Sequence, residues 1–458
     1  MRKLKVTQLL EATGGELLRK GGGTFGGVSI DSRTIRFGDL FFAIVGERLN
    51  GHRYAPEVAD KGAVGVVISD RRFTPNSGFA VLVPDTRKAL NALAAYYRGR
   101  FDIKSAAVTG SNGKTTTRNM LATVLGRRYR VLEPEANFNN DIGVPLTVFR
   151  IDKTTQAAVF EIEMNQHGGT QALARVCAPE VGVVTNIGDT HLETMKTREG
   201  VAREKAELVE ELPADGTAVL NADDRLAAAI GEKFGSCRKL LFGIDTEADV
   251  RATRIKDRGI EGIEFLLNGE HRVSLAAPGK HNVYNCLAAC AAASALGMQF
   301  KDMPAALEGY QGPPMRLRVR HLGQDIILLD DTYNANPQSV HAALDVLCGH
   351  ECAGQRLVIL GDMLELGEVS LQAHTEMGNH VASCVDRAVF VGPMGEHAIS
   401  VVLKSGVGAG RLRSYGSSKD VLADLVDLIR PGDTILVKGS RAMRMELITN
   451  AITTQYAQ

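Results

Sequence analysis

A lysine followed by hydroxyl residues, Lys114-Thr115-Thr116-Thr117, stands directly behind the glycine-bearing turn Gly110-Ser111-Asn112-Gly113. The turn itself follows the apolar run Ala106-Ala107-Val108. That order of residue types suits phosphate binding. Glycines let backbone N–H groups approach phosphate oxygens, and the N-terminus of a following helix adds positive partial charge. Lys114 is expected to reach the terminal phosphates, and the Thr115 hydroxyl to serve as a magnesium ligand. The commoner pattern carries a further glycine where Val108 stands, so the loop reads as a shortened variant opening at Gly110. An ordinary strand-to-helix turn is the plainer alternative. It does not call for strand, glycines, lysine and hydroxyl in this one order.

Other residue clusters fit chemistry beside such a loop. Along 157–164 the side chains of a strand alternate, so Glu161 and Glu163 share a face. Strands covered on both faces are usually apolar throughout, and ligands of open α/β sheets bind at the carboxyl ends of strands. One carboxylate there would supply an oxygen ligand for magnesium, whereas an edge strand with a solvated acidic face needs no ligand. His191 directly follows the strand expected at 181–186 and reads equally as a ligand or as a capping histidine. The stretch Arg203-Glu204-Lys205-Ala206-Glu207 reads as a solvated helix face. The asparagines Asn137, Asn139 and Asn140 suit recognition of a peptide or a sugar. Asn282 and Asn285, in the segment 279–285 that precedes an alanine-rich helix expected at 287–295, could read an adenine edge or cap that helix. Asp330-Asp331 ends an apolar strand, where a magnesium, ribose or substrate contact is possible.

These residues need a frame. The chain has 458 residues, too many for one core, and about three domains are expected. Lysine plus arginine and aspartate plus glutamate number 53 each, so no global basic field points to nucleic acid. No apolar run approaches the roughly 18 residues a membrane span requires, and the N-terminus lacks the apolar stretch of a signal peptide. Seven dispersed cysteines without a C-x-x-C pair favour free thiols in a reducing cytoplasm over a disulfide framework or a zinc site. The fold class is α/β. Residues 1–84 read as a small α/β module, 85–313 as a P-loop-type doubly wound parallel sheet, and 314–458 as a Rossmann-like α/β domain without a G-x-G-x-x-G turn. The break falls near Gly312-Pro313-Pro314.

Taken together, these motifs resemble the Mur ligase family, ATP-dependent enzymes that join amino acids to a nucleotide-linked muropeptide. The resemblance runs nearly the full length. It rests on 109–115, the Asn137-x-Asn139-Asn140-x-Ile142-Gly143-x-Pro145 segment, Glu161, Asn186 to His191, Gly279-x-His281-Asn282-x-x-Asn285, and Arg316 followed by Asp331. In the third segment, 330–337, 360–367 and Val437-Lys438-Gly439-Ser440-Arg441 resemble the branch that adds D-alanyl-D-alanine. The Asp-Asn-Pro-Arg tetrapeptide typical of the diaminopimelate-adding branch is missing. Asp31-Ser32-Arg33, 38–41 and Asn50-Gly51-His52 resemble the module that holds the uridine nucleotide.

The resemblance implies ATP at Gly110, Ser111, Asn112, Gly113, Lys114, Thr115 and Thr116, with Asn282 or Asn285 near adenine, Asp331 on ribose and Arg316 closing from the third domain. It implies two Mg2+ ions, one held by Thr115 and Glu161. The other is shared by Glu161, His191 and Lys205, the lysine carrying a carbamate formed with carbon dioxide. Substrate contacts are implied at Ser32, Arg33, Asn50, Gly51, His52, Asn137, Asn139, Asn140, Tyr333, Asn334, Asn336, Lys438, Ser440 and Arg441. The implied partners are UDP-N-acetylmuramoyl-tripeptide, D-alanyl-D-alanine and ATP, without nucleic acid or membrane insertion, for a cytoplasmic monomer in peptidoglycan precursor synthesis. The implied reaction forms an amide through an acyl phosphate. Two departures stand out: Glu163 replaces the usual glycine, and Gly169 a frequent glutamate. Rival readings are another amide ligase of this architecture, such as a diaminopimelate- or lysine-adding or folate-polyglutamating enzyme, and a nucleotide-binding regulatory protein.

Overall fold

The computed structural model describes residues 1–46, 49–135, 137–190 and 192–457; His191 lies outside the described residues. Among the described residues, three large sheets follow one another along the chain. The first is five-stranded, in the order Glu16–Arg19, Phe79–Leu82, Gly65–Ile68, Asp39–Phe42, Gly27–Ser29, parallel except for its first strand. A helix, Thr86–Arg98, leads out of it. Asp85 caps this helix by accepting from the N–H groups of Arg87 and Lys88, and it buries Ala89, Leu90, Leu93, Ala94 and Tyr97. The Tyr97 hydroxyl donates to the Ile151 carbonyl at 2.7 Å and accepts from Arg2 N–H at 2.7 Å. Phe79, Val81, Leu90 and Tyr97 pack in the same cluster as Ala107, Val144 and Phe160, so the first two sheets share a core across residue 84.

The central sheet has nine strands. The phosphate-loop strand β1 (Lys104–Thr109) runs into α1 (Lys114–Leu125). It pairs in parallel with β2 (Ala157–Glu161) on one side and β3 (Val181–Val184) on the other. The chain reaches these neighbours in opposite directions across the sheet, which places the end of β1 at a topological switch point, where open α/β sheets bind ligands. Helix α2 (Arg198–Glu210) follows β3. The alanines of α3 (Lys280–Ala295) allow it to be buried on nearly every side, packed with α1 against the sheet. The parallel reading of this sheet is incomplete. Strands Ile263–Leu267 and His271–Leu275 extend it as antiparallel additions, half-buried in the alternating pattern such strands require.

The third sheet is ordered Arg318–His321, β4 (Ile327–Asp331), Thr434–Lys438, Arg356–Gly361, Arg387–Val391, Leu412–Tyr415. Only its first strand is antiparallel. Helices cover both faces, each over its own apolar cluster. Two of them, α4 (Pro337–Cys348) and α5 (Ser370–Cys384), pack side by side. Five cysteines are free, but the expectation of free thiols throughout is corrected at Cys348 and Cys384. These are joined as a disulfide because the helix ends that carry them meet, with Cα atoms 5.5 Å apart.

Candidate active site

The phosphate loop is shaped by what its glycines allow. Gly110 has φ +143° and Gly113 φ +80°, conformations that L side chains rarely adopt. A Cβ at Gly110 would collide with Thr185 Oγ1, and one at Gly113 with Asn285 Oδ1. The polar end of β3 clamps the loop from outside. Thr185 Oγ1 donates to the Asn112 carbonyl at 2.6 Å, Asn112 N–H donates to Asn186 Oδ1 at 2.9 Å, and Ser111 N–H donates to the Asn186 carbonyl at 3.0 Å. Behind the loop, Thr117 Oγ1 donates to Asn285 Oδ1 at 3.4 Å, and Asn285 Nδ2 donates to Asn282 Oδ1 at 3.1 Å.

At the start of α1 the ionisable groups converge. Lys114 Nζ donates to the Gly110 carbonyl at 2.9 Å and lies 2.8 Å from Glu163 Oε1. Thr115 Oγ1 donates to Glu161 Oε1 at 3.1 Å. Glu161 is 2 % exposed, and among the described residues its Oε2 has no hydrogen-bond donor, with Arg118 Nε 3.8 Å away. A buried carboxylate oxygen beside a threonine hydroxyl is the donor set a hard divalent cation uses, so these residues fit magnesium. Asn139 Nδ2 donates to both carboxylates, to Glu161 Oε1 at 3.0 Å and Glu163 Oε2 at 2.9 Å. The alternation expected along 157–164 therefore puts both acids on one face, although the regular strand ends at Glu161.

The third domain completes the site. A cavity of about 730 Å³ is lined by Ser111 to Thr116 and by Asn282 and Asn285 from the central domain. From the other side it is lined by Arg316, Asp331, Tyr333, Asn334, Asn336, Lys438, Ser440 and Arg441. That size lies within the range of small-molecule pockets. Arg316 stacks over the Tyr333 ring at 3.9 Å and donates from Nη2 to Thr115 Oγ1 at 3.3 Å. Asn336 Nδ2 donates to Asn112 Oδ1 at 2.7 Å, and Asn112 Nδ2 to Gln338 Oε1 at 3.0 Å, so the N-terminus of α4 rests on the phosphate loop. Lys438 Nζ donates to Asp331 Oδ2 at 2.6 Å and to the Asn334 carbonyl at 2.9 Å. Burial pulls the Lys438 ammonium below its ordinary value while Asp331 opposes the shift.

Several expected residues stand elsewhere. Lys205, 1 % exposed, donates to Glu204 Oε2 at 2.8 Å, and Glu204 in turn accepts from Thr170 Oγ1. The solvated helix face expected for this stretch is therefore corrected: Glu204, Lys205 and Glu207 point inward, because each finds a partner between α2 and Gly169–Cys177. Asn139 holds the two acids, and Asn140 Oδ1 accepts from the N–H groups of Ile142 and Gly143. His52 is buried, with Nδ1 against Asn50 Oδ1 at 2.8 Å and Nε2 accepting from Ser69 N–H at 2.8 Å. It fixes the turn at Asn50 and Gly51 instead of offering a free nitrogen. Arg33 is exposed and paired with Asp31, while Ser32 is buried with its carbonyl accepting from Lys61. The side chains of 50–52 and 31–33 do not line the cavity. Gln338, Thr185 and Tyr284 line the cavity without being singled out by the sequence: Thr185 and Tyr284 stand inside or beside motifs whose asparagines carry the signal, and Gln338 stands outside any.

Known proteins share this arrangement. Three family models match in succession: the Mur ligase family catalytic domain over 24–98, the Mur ligase middle domain over 108–293, and the Mur ligase glutamate ligase domain over 315–441. The UDP-N-acetylmuramoyl-tripeptide–D-alanyl-D-alanine ligase of Bacillus subtilis is 35 % identical over 426 residues, covering 92 % of this chain and 92 % of its own. A crystal structure of MurF from Acinetobacter baumannii superposes with a TM-score of 0.90 at 32 % identity, covering 99 % of each chain. MurF from Thermotoga maritima in complex with ADP gives 0.81 at 25 % identity over 94 % of this chain and 97 % of that one. With its phosphate loop, its three-domain α/β architecture and full-length relatives in agreement, the chain belongs to the Mur ligase family.

Proposed function

We propose that this chain is an ATP-dependent, ADP-forming ligase that joins D-alanyl-D-alanine to UDP-N-acetylmuramoyl-tripeptide, yielding the pentapeptide precursor of peptidoglycan. Its relatives across the full length carry that activity in their names. The observation that carries the reading is the joining of Lys114 and Thr115 at a glycine loop, with Glu161 behind Thr115, to Arg316, Asp331 and Lys438 from the third domain around one cavity.

In the reaction, the terminal carboxylate of the tripeptide attacks the γ-phosphorus of ATP, forming an acyl phosphate and releasing ADP. The amine of D-alanyl-D-alanine then attacks the acyl carbon, phosphate leaves, and the amine loses one proton. Two anions must meet in the first step, so charge compensation dominates catalysis. Lys114 supplies one positive charge to the phosphates once it exchanges Glu163 for them. Magnesium, held by Thr115 and Glu161, supplies further charge neutralisation when bound. Arg316, already at the Thr115 hydroxyl, adds a cation from the third domain, and Asp331, a cavity-lining carboxylate, would accept from a ribose hydroxyl. Contact of Asn336 and Gln338 with Asn112 holds the third domain over the loop, shielding an acyl phosphate from water.

A second magnesium would be held by Glu161, His191 and a carbamate on Lys205. Burial of Lys205 next to the packed helix bearing Gly169 supports a role beyond surface solvation. The N-terminal module, through Ser32, Arg33 and the 50–52 turn, would take the uridine nucleotide, and the protein would work in the cytoplasm. None of its described helices is long and apolar enough to cross a membrane. The test is product identity. Incubation with ATP, the uridine-linked tripeptide and D-alanyl-D-alanine should yield the pentapeptide by mass spectrometry; no pentapeptide there, with diaminopimelate or glutamate joined instead when either is supplied in place of the dipeptide, would refute the assignment.

A further inference from the structure

Outside the lining of the cavity, α4 and α5 bring soft donor atoms together. Helix α4 carries His341, Asp345 and Cys348 at i, i+4 and i+7, one stripe of its surface. Helix α5 carries His380 and Cys384 at i and i+4, facing that stripe. One ligand atom each from Cys348, His380 and Cys384 lie within 4.8 Å of one another, and all three residues are half-buried. His341 Nδ1 lies 2.7 Å from His380 Nδ1, with the two rings stacked at 5.1 Å. The other nitrogen of His380, Nε2, lies 3.3 Å from Asp345 Oδ1.

We propose that Cys348, Cys384, His380 and His341 form a binding site for a zinc-like divalent transition metal when the two sulfurs are reduced. Donors around a tetrahedral zinc ion, at about 2.0–2.3 Å from it, sit roughly 3.3–3.8 Å apart; Cys348, His380 and Cys384 stand within 4.8 Å of one another, and His341, 2.7 Å from His380, is the nearest histidine to complete the set. Two thiolates and two neutral imidazoles balance a dipositive ion, and sulfur donors select zinc or cobalt over magnesium. Asp345 plays the part of the carboxylate that commonly orients a ligating histidine through its second nitrogen. No C-x-x-C motif marks the site because the four ligands come in pairs from two packed helices.

The disulfide is the metal-free, oxidised form of the same site. A thiol reductant converts one to the other: two equivalents deliver two electrons and two protons, the S–S bond breaks, and the reductant leaves as its own disulfide. Metal binding then displaces the two thiol protons. Since the N-terminal end of α4 touches Asn112, the ion would anchor the opposite end of a helix that rests on the phosphate loop.

The full-length chain, reduced with a phosphine, stripped of metal and titrated with cobalt(II), tests this. One cobalt per chain should bind with a thiolate-to-cobalt charge-transfer band and tetrahedral d–d absorption, both abolished by added zinc. Oxygen donors of a magnesium site cannot produce that band, so the two sites are distinguished. The band should be lost in the oxidised wild-type chain and in the Cys348→Ser/Cys384→Ser double variant. Asp345→Ala should weaken binding by about 10–100-fold. A reduced wild-type chain that shows no thiolate band, or a double variant that keeps it in full, overturns the proposal. The oxidised-versus-reduced comparison needs no substitution and so stands even if a variant misfolds.

Discussion

Lys114 Nζ and Glu163 Oε1 lie 2.8 Å apart, so the cation of the phosphate loop is already paired with a carboxylate before any nucleotide arrives. Glu163 also accepts from Asn139, which holds it in place beside Glu161. Phosphates must displace this partner. Lys114 is buried but Glu163 is about a third exposed, so with solvent screening on one side separating the pair costs about 1 kcal/mol, which corresponds to roughly fivefold in affinity. Glu163→Gln is therefore expected to lower KM for ATP several-fold with kcat little changed. Steady-state ADP release against ATP concentration reads this directly; a raised KM would mean that Glu163 assists binding.

Removing the cation itself has the opposite sign. Lys114→Ala leaves the developing phosphate charge uncompensated and removes the ion pair with Glu163. A loss of about 10³-fold or more in kcat/KM is expected, on the order of 4 kcal/mol. Turnover within tenfold of wild type would remove Lys114 from the phosphate site.

Lys205 tests the second metal position. Lys205→Ala should be nearly inactive, and small carboxylates such as acetate should partly restore activity by standing in for the carbamate. Because Glu204 loses its buried partner, thermal unfolding must be recorded in parallel: a destabilised but unrescued variant points to a packing role for the pair. Full activity in a folded variant would exclude the carbamate.

Asp223 ties the site's flank together. Its carboxylate accepts from the N–H groups of Ile244, Asp245 and Thr246 and from the hydroxyl of Tyr284, a cavity-lining residue. Burial works to raise its pKa, but these donors outweigh burial and hold it at about 2, below the ordinary 3.8. A depressed carboxylate contributes stability that is fully present above pH 3.8 and is lost as pH falls toward about 2. Asp223→Asn should thus cost about 1 kcal/mol at pH 7, allowing for solvent screening, with the difference from wild type vanishing in that acid window. Chemical denaturation at several pH values checks it, and a gap that persists at pH 2 would contradict the assignment.

What could be read from the sequence depended on whether a residue's role is local. The turn at Gly110–Gly113, Lys114 and the face shared by Glu161 and Glu163 follow from spacing along one strand and one turn, and they hold in the structure. Roles set by packing were hidden. The charged neighbours of Lys205 suggest a wet helix face, yet it is buried and paired with Glu204, which Thr170 in turn hydrogen-bonds. Asn139, Asn140 and His52 also have partners inside the fold, which residue type and spacing do not reveal, because buried amides and imidazoles must be hydrogen-bonded. The Cys348–Cys384 junction depends on two helix ends 36 residues apart in sequence, which no local pattern reveals. The antiparallel strands at 263–275 likewise follow from which face the sheet leaves open, a tertiary matter.

The most direct measurement of the central claim is ADP release from ATP with the uridine-linked tripeptide, compared with and without D-alanyl-D-alanine. The account predicts sustained release only when tripeptide and D-alanyl-D-alanine are both present, with one ADP formed per pentapeptide. Equal release without the dipeptide, or stimulation by diaminopimelate or glutamate in its place, would contradict it.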